Sequence, residues 1–416
     1  MLARRLTVSL GIVLVSWGAH ARAESGASWS EQHENKAGLY LRLPQQQRGQ
    51  DAEYFMRHPL IDAAIVSMKW SELEPEAGKY NFSEMDRLLA IAKKLNKGIV
   101  FAFSTYGQSP TDQPTPAWLY DNGVRRITFS GGGASKKAKI SVPMVWDNKY
   151  LDEYEKFIKK ISDRYSGETR IWYIMPGIGH IGNVKPQPSK GGAMALKKAG
   201  WNPRLWEEFS LKVVDMYQTN FHNTPLLVKA GLWYLRDPKH DNYSREADSL
   251  LTKLAEKRVS IITFGLEPDA RALDKNKVVK RLADLAPRSV VGEIRVGIGD
   301  DWPLWVPGPR RVAKPTRGRD DLGLSKELEY AFGGVEGLPK TNISILYVLH
   351  PEVDASHPEK GDKQNKEVYR LLEAARKRLK EEDPVRRRAR GPGEATGCEQ
   401  AVGSGGVDLS PPRPLS

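Results

Sequence analysis

Short apolar runs alternate along this chain with longer stretches in which apolar residues recur at every third and fourth position. Runs of the first kind predict buried strands, and the longer stretches predict amphipathic helices. The strands expected are 38–43, 63–69, 98–103, 170–175, 226–232, 260–265, 289–296 and 343–349. Helical periodicity covers 83–95, 149–165, 203–218, 244–256, 275–285 and 363–380. In the first of these, Met85, Leu88, Leu89 and Ala92 share one face, and Ser83 is the expected N-cap.

Eight strands separated by helices is the count of a single-domain (β/α)₈ TIM barrel. An open doubly wound sheet would more often place a glycine-rich phosphate turn after its first strand, and Leu43-Pro44-Gln45-Gln46-Gln47 is not one. Long loops are expected after strands 3, 4 and 7, over 104–148, 176–202 and 297–342. All three follow the carboxyl ends of strands, where barrel enzymes place their sites. Inside the first loop, 124–129 and 137–142 flank Ser130-Gly131-Gly132-Gly133, which reads as a small hairpin.

The ends of the chain differ from its middle. Arg4 and Arg5, an apolar stretch from Leu6 to Gly18, and Ala21-Arg22-Ala23 predict a cleaved signal peptide over 1–23 and a secreted or periplasmic protein. That apolar stretch is too short for a stable membrane anchor. The barrel is then expected over 24–383. The remainder, 384–416, is rich in Gly, Pro and Ser and predicts a disordered tail.

The formal charge is +13, falling to +10 once the arginines of the leader are removed. Lysines and arginines are interleaved with acids, which describes a solvated surface; the excess also favours anionic partners such as acidic glycans. Nucleic acid is not expected, because no basic stripe with interleaved aromatics occurs in the folded part. The single cysteine, Cys398, cannot form an internal disulfide, and the eight histidines are dispersed, so neither a metal nor a cofactor is expected.

Residues 66–98 carry Trp70, Glu74-Pro75, Gly78, Tyr80, Phe82 and Asp86 in an order that resembles the second strand and following helix of clan A glycoside hydrolases, in particular the family 42 β-galactosidase type. Pro116, Trp118, Leu119, then Trp146, Asp147, Tyr150, Phe157, Arg164 and Tyr165, resemble later parts of that pattern. The resemblance extends from Leu39 to Gly182 and implies a barrel that binds carbohydrate. It also implies two catalytic glutamates about 5 Å apart, ending strands 4 and 7, in retaining members. Strand 4 departs from the pattern: its Asn-Glu pair is absent, and no Asp or Glu occurs between Glu168 and Glu207. His180 and Asn183 occupy that neighbourhood.

On the expected strand 7, alternation puts Glu293 and Arg295 on the face opposite Ile294 and Val296, so both would point into the barrel. Glu293 is the candidate nucleophile; a structural ion pair with Arg295 is the other reading. Glu267, fixed by Pro268, is a candidate catalytic acid or else a turn carboxylate capping amides, and His180 is a candidate proton carrier. Candidate substrate-binding residues are Arg42, Trp118, Trp146, Asn183, Trp233, Arg295, Trp302 and Trp305, since indoles stack on sugar C–H faces. Singly, each tryptophan reads equally as packing. Two functions follow: a secreted glycoside hydrolase with an atypical strand 4 site, or a non-catalytic carbohydrate-binding barrel.

Overall fold

In the computed structural model, the described residues are 36–49, 51–107, 112–130, 139–179, 182–184, 186, 190–229, 245–264, 285, 296–299, 328, 332 and 343–381. The leader and tail expected from the sequence lie outside them. In chain order the strands are β1 (Gly38–Leu43), β2 (Ile61–Lys69), β3 (Gly98–Ser104), β4 (Arg126–Ser130), β5 (Lys139–Pro143), β6 (Ile171–Met175), β7 (Leu227–Lys229), β8 (Ser260–Phe264), β9 (Val296–Gly299) and β10 (Ile345–Leu349). Helices are α1 (Asp51–Arg57), α2 (Trp70–Leu73), α3 (Ser83–Lys94), α4 (Ala117–Asp121), α5 (Asn148–Tyr165), α6 (Lys190–Lys198), α7 (Pro203–Asn220), α8 (Arg245–Glu256), α9 (His350–Ala355) and α10 (Lys366–Glu381).

Eight strands form one parallel sheet in the order β6-β3-β2-β1-β10-β9-β8-β7. Its two outer strands meet through the parallel bridge Ile174↔Leu226, where the Ile174 amide donates to the Pro225 carbonyl at 3.2 Å. The sheet therefore closes on itself as the expected TIM barrel. β4 and β5 pair antiparallel in the loop after β3, where the hairpin was expected, with Arg126 opposite Pro143 and Ser130 opposite Lys139.

Alternation along the strands makes two cores. One face of each strand packs against the helices, in a cluster that includes Leu39, Leu41, Val66, Phe101, Ile174, Val228 and Val348. The other face fills the barrel with Tyr40, Ala63, Ile65, Val100, Ala102, Tyr173, Met175, Leu227, Ile262, Ile345 and Tyr347. Small Ala63 and Ala102 give room to the three tyrosines. Gly98 is required where it stands, because a Cβ there would collide with the Trp172 ring at the floor of the barrel.

One expectation needs correction and another is only partly described. Ser83 is the first residue of α3 rather than its cap: the preceding Phe82 has no side-chain cap bond, and the Asn81 carbonyl oxygen Oδ1 takes the Ser83 amide instead, at 3.2 Å. The described part of the seventh barrel strand is Val296–Gly299, and residues 289–295 of the expected 289–296 lie outside the described residues. Its register is set on both sides, with Gly297 opposite Ile262 and Ile345 and Gly299 opposite Phe264 and Tyr347. Two glycines in four residues hide this strand from a propensity reading.

Candidate functional site

The residues that carry the family resemblance form one interlocked corner behind the barrel wall. Trp70 is fully buried and its Nε1 donates to Glu74 Oε2 at 2.8 Å; Glu74 Oε1 accepts the Gly78 amide at 2.9 Å. Trp118 Nε1 donates to the Glu74 carbonyl at 3.0 Å, and its ring stands edge-on to Trp70. Phe82 lies on Tyr80, and Asp86 accepts from Arg164 and from the Tyr165 hydroxyl, each at 2.7 Å. The Arg164 hydrogen bond holds the Asp86 carboxyl below its ordinary range. These polar groups bond to one another, so this part of the motif builds the fold. Trp146 is likewise packed against the outer core. The contacts of Trp118 and Trp146 are those of packing.

The mouth lies at the carboxyl ends of the strands. Arg42 continues the inward parity of Tyr40 on β1, Lys69 that of Ala63 and Ile65 on β2, Ser104 that of Ala102 on β3, and Lys229 that of Leu227 on β7. Arg42, Lys69 and Lys229 are half-buried. Lys69 pairs with Asp112 at 3.1 Å, and the Lys229 ammonium lies 5.8 Å from the centroid of the Tyr347 ring. Asn183 is 5 % exposed and bridges in parallel to Lys229, so the loop after β6 turns back to line the wall beside β7.

At the end of β6 the chain runs Met175-Pro176-Gly177, and a backbone cradle stands where the resemblance implies a carboxylate. Thr105 Oγ1 donates to the Gly177 carbonyl at 2.8 Å, and a Cβ on Gly177 would collide with the Tyr154 hydroxyl and the Thr105 methyl. Tyr154 and Tyr217 share a hydrogen bond of 3.0 Å behind it. Burial pushes both phenols well above their ordinary range, so they act as fixed neutral groups. Among the described residues, the inward positions at strand ends carry no carboxylate. Glu352 follows β10 in the first turn of α9 and is 2 % exposed. No described group of three His, Cys, Asp or Glu side chains could hold a metal ion.

His180, Trp233, Glu267, Glu293, Arg295, Trp302 and Trp305 lie outside the described residues. The structure thus brings together Arg42 and Asn183 of the expected set, and adds Lys69, Ser104 and Lys229. Lys229 had a sequence signal: a lone charge inside an apolar run is rarely buried without a reason. Beside the mouth, a cavity of about 330 Å³ is lined by Gln45, Arg48, Met68, Glu72, Asn81 and Glu84. Its Glu72 carboxylate accepts from Gln45 at 2.6 Å and from Arg48 at 3.1 Å.

Residues 41–175 match the sequence model of glycoside hydrolase family 42, described as β-galactosidase. No curated protein sequence matches the chain. Among solved structures, the catalytic domain of a β-amylase from Paenibacillus polymyxa superposes with a TM-score of 0.56 at 11% identity, over 81% of this chain and 97% of that one. An endo-1,4-β-xylanase from Caldicellulosiruptor owensensis has a TM-score of 0.46 at 12% identity, over 83% and 99%. A β-galactosidase from the psychrophilic Marinomonas ef1 has 0.46 at 12%, over 81% of this chain and 59% of that one. The superposition on the first of these shows a TIM-barrel fold, and the family 42 match is confined to residues 41–175.

Proposed function

We propose that this chain is an exported glycoside hydrolase-like protein whose mouth, at the carboxyl ends of the barrel strands, takes a saccharide and cleaves a glycosidic bond. The observation that carries this reading is the family 42 match over residues 41–175, which spans β1 to β6 of a closed barrel. Hydrolysis adds water across the bond between the anomeric carbon and the leaving oxygen. A carboxylate attacks or stabilises that carbon, and an acid protonates the departing oxygen. Because no Asp or Glu occurs between Glu168 and Glu207, the attacking carboxylate must come from a strand other than β6.

Glu293 is the nucleophile proposed from the sequence, with Glu267 and His180 as partners in proton transfer. The described part of β9 adds a competitor: Asp300 and Asp301 follow Gly299 directly in the chain, whereas Glu293 precedes Val296. Glu293→Gln, Asp300→Asn and Asp301→Asn, assayed across a broad glycoside panel with sugar binding measured alongside, separate the two. Loss of turnover with retained binding in Glu293→Gln alone supports Glu293; the same loss in an aspartate variant moves the role there. Mass spectrometry of the exported protein should show a start at or near Glu24.

A second reading, a non-catalytic carbohydrate-binding barrel, is favoured by the Gly177 cradle that replaces a carboxylate at β6. Wild-type protein that binds sugar and turns over none of the panel would select it.

A further inference from the structure

We propose that the cavity outside the barrel wall, between the segments that follow β1 and β2, is a binding site for one neutral sugar unit. The inference goes beyond the mouth and does not depend on cleavage there. Gln45 and Arg48 follow β1, Glu72 and Leu73 lie in α2 after β2, and Asn81 and Glu84 stand at the start of α3, so all belong to the carboxyl end of the barrel. Met68, also a lining residue, shares the outward parity of Val66 on β2. The cavity therefore lies beside the mouth, on the outer side of β2.

The charges around it cancel in pairs. Glu72 accepts from Arg48 at 3.1 Å, and Glu84 takes two bonds from Arg87, both at 2.9 Å. An anion would meet two carboxylates, and a cation would meet the Arg48 guanidinium, which is 7 % exposed, so neither gains by entering. Paired carboxylates still keep spare lone pairs, since each ionised oxygen accepts more than one hydrogen. Hydroxyl groups, neutral and able to donate, are what such oxygens can still receive.

Two side-chain amides complete the set, and their bonds fix which way each is turned. Asn81 Oδ1 accepts the Ser83 amide at 3.2 Å and the Ser83 hydroxyl at 2.7 Å, which leaves Nδ2 as a donor with no partner among the described residues. Gln45 Nε2 donates to Glu72 at 2.6 Å; a carboxylate can only accept, so Gln45 Oε1 is left as an acceptor. Arg48 Nη1 reaches the Met68 sulfur at 3.3 Å, a weak acceptor that leaves its hydrogens for a stronger one. The buried Met68 and Leu73 side chains give the floor an apolar patch. Donors and acceptors around an apolar floor match a pyranose, which carries hydroxyls at its rim and C–H groups on its faces. A volume of about 330 Å³ is at the lower end for ligand pockets and admits one ring rather than a chain.

The test is a titration of the full chain, followed by saturation-transfer NMR. The probes are D-glucose and D-galactose, each beside an anionic counterpart, the uronate, and a cationic one in which an ammonium replaces the primary hydroxyl. Two substitutions separate this cavity from the mouth. Asn81→Asp keeps the oxygen that receives Ser83 but exchanges the donor for a charged acceptor. Gly49 also lines the cavity, and a Cβ added there meets nothing within 4 Å, so Gly49→Phe can fill the space. We expect at least one neutral sugar to bind, its two charged counterparts to bind at least about tenfold more weakly, and each substitution to weaken the neutral sugar by about tenfold or more. Melting curves confirm the fold, and Gln45→Ala takes the place of a variant that does not fold. Neutral-sugar binding indifferent to the substitutions places the sugar elsewhere and overturns the inference, as does a preference for a charged counterpart. Binding of none of the sugars overturns it too. The reading of the mouth is judged separately, by turnover of the glycoside panel by wild-type protein, so either reading can fail alone.

Discussion

The two ends of this barrel both carry cations, and they use them differently. At the amino-terminal end, Asp62 is 7 % exposed and gathers Arg376 in two bonds of 2.8 and 3.1 Å, Lys380 at 3.2 Å and the Leu39 amide at 3.0 Å. Lys97, nearby, donates to the Ile61 carbonyl at 2.5 Å. There the charges close on groups of the fold and tie β1, β2 and α10 together. At the carboxyl-terminal end, Arg42 and Lys229 stand half-buried in a mouth. The first end serves stability, and the second is the end at which this architecture places its ligands. The two should respond to separate perturbations.

The largest effect is expected at the closed end. Asp62→Ala leaves Arg376 and Lys380 facing each other over an unfilled site and strands the Leu39 amide. Removing one partner of a buried pair costs about 3–5 kcal/mol. Arg376 is 36% exposed, and water screens part of its charge, so the expectation is the lower end, about 3 kcal/mol. Denaturant unfolding measures it, and glycan binding should not change. A loss below about 1 kcal/mol would contradict the role of this cluster as a staple.

Acid should strike the same side of the molecule next. His58 is fully buried between α1 and the segment after α9. Its Nδ1 accepts the Leu60 amide at 3.2 Å, so Nε2 carries the proton and faces the Ser356 carbonyl at 3.2 Å. The His357 ring lies 5.3 Å away. Burial pushes the His58 imidazole from its ordinary 6.5 down to about 4, and burial lowers His357 as well. Between those two values the unfolded chain binds more protons than the folded one, so stability falls as pH falls. The contribution is complete above about pH 6.5 and lost by about pH 4, about 3 kcal/mol at most. Unfolding measured from pH 7 to 4 should show this slope, and His58→Gln should flatten it. An unchanged slope in the variant would assign the acid sensitivity elsewhere.

This contrast also marks what the chain discloses before it is folded. The barrel was legible because each strand is an apolar run and each well-formed helix has a single apolar face, as in Met85, Leu88, Leu89 and Ala92 of α3. Residues 297–299 of β9 were missed because Val296-Gly297-Ile298-Gly299 owes its place to neighbours on both sides. Propensity is local, and pairing is not. The motif from Trp70 to Asp86 identified the fold correctly, but its residues bond to one another, so it says little of the substrate. Lys229 escaped notice inside a run read as continuous strand to Leu232, and its inward place at the carboxyl end of β7 appears only in the fold. Tyr154 and Thr105 are distant in sequence from Gly177, and nothing short of the fold shows that they hold its peptide.

The smallest effect on stability, and the sharpest test of the division, concerns Lys197 and Lys198. Both are exposed on the last turn of α6, and cations there interact favourably with the helix terminus by only a few tenths of a kcal/mol. Replacing both by alanine should change unfolding free energy by no more than about 0.5 kcal/mol. The effect on an anionic saccharide should be kinetic instead. Two charges removed from the rim weaken the long-range attraction to an anionic ligand, so association slows while release is unchanged. Stopped-flow association of tetragalacturonate at about 0.02 and 0.2 M salt reads this directly, because the difference between wild type and variant should shrink as the Debye length falls below about 10 Å. A slower release, or a difference indifferent to salt, would place Lys197 and Lys198 inside the bound complex rather than on the approach to it.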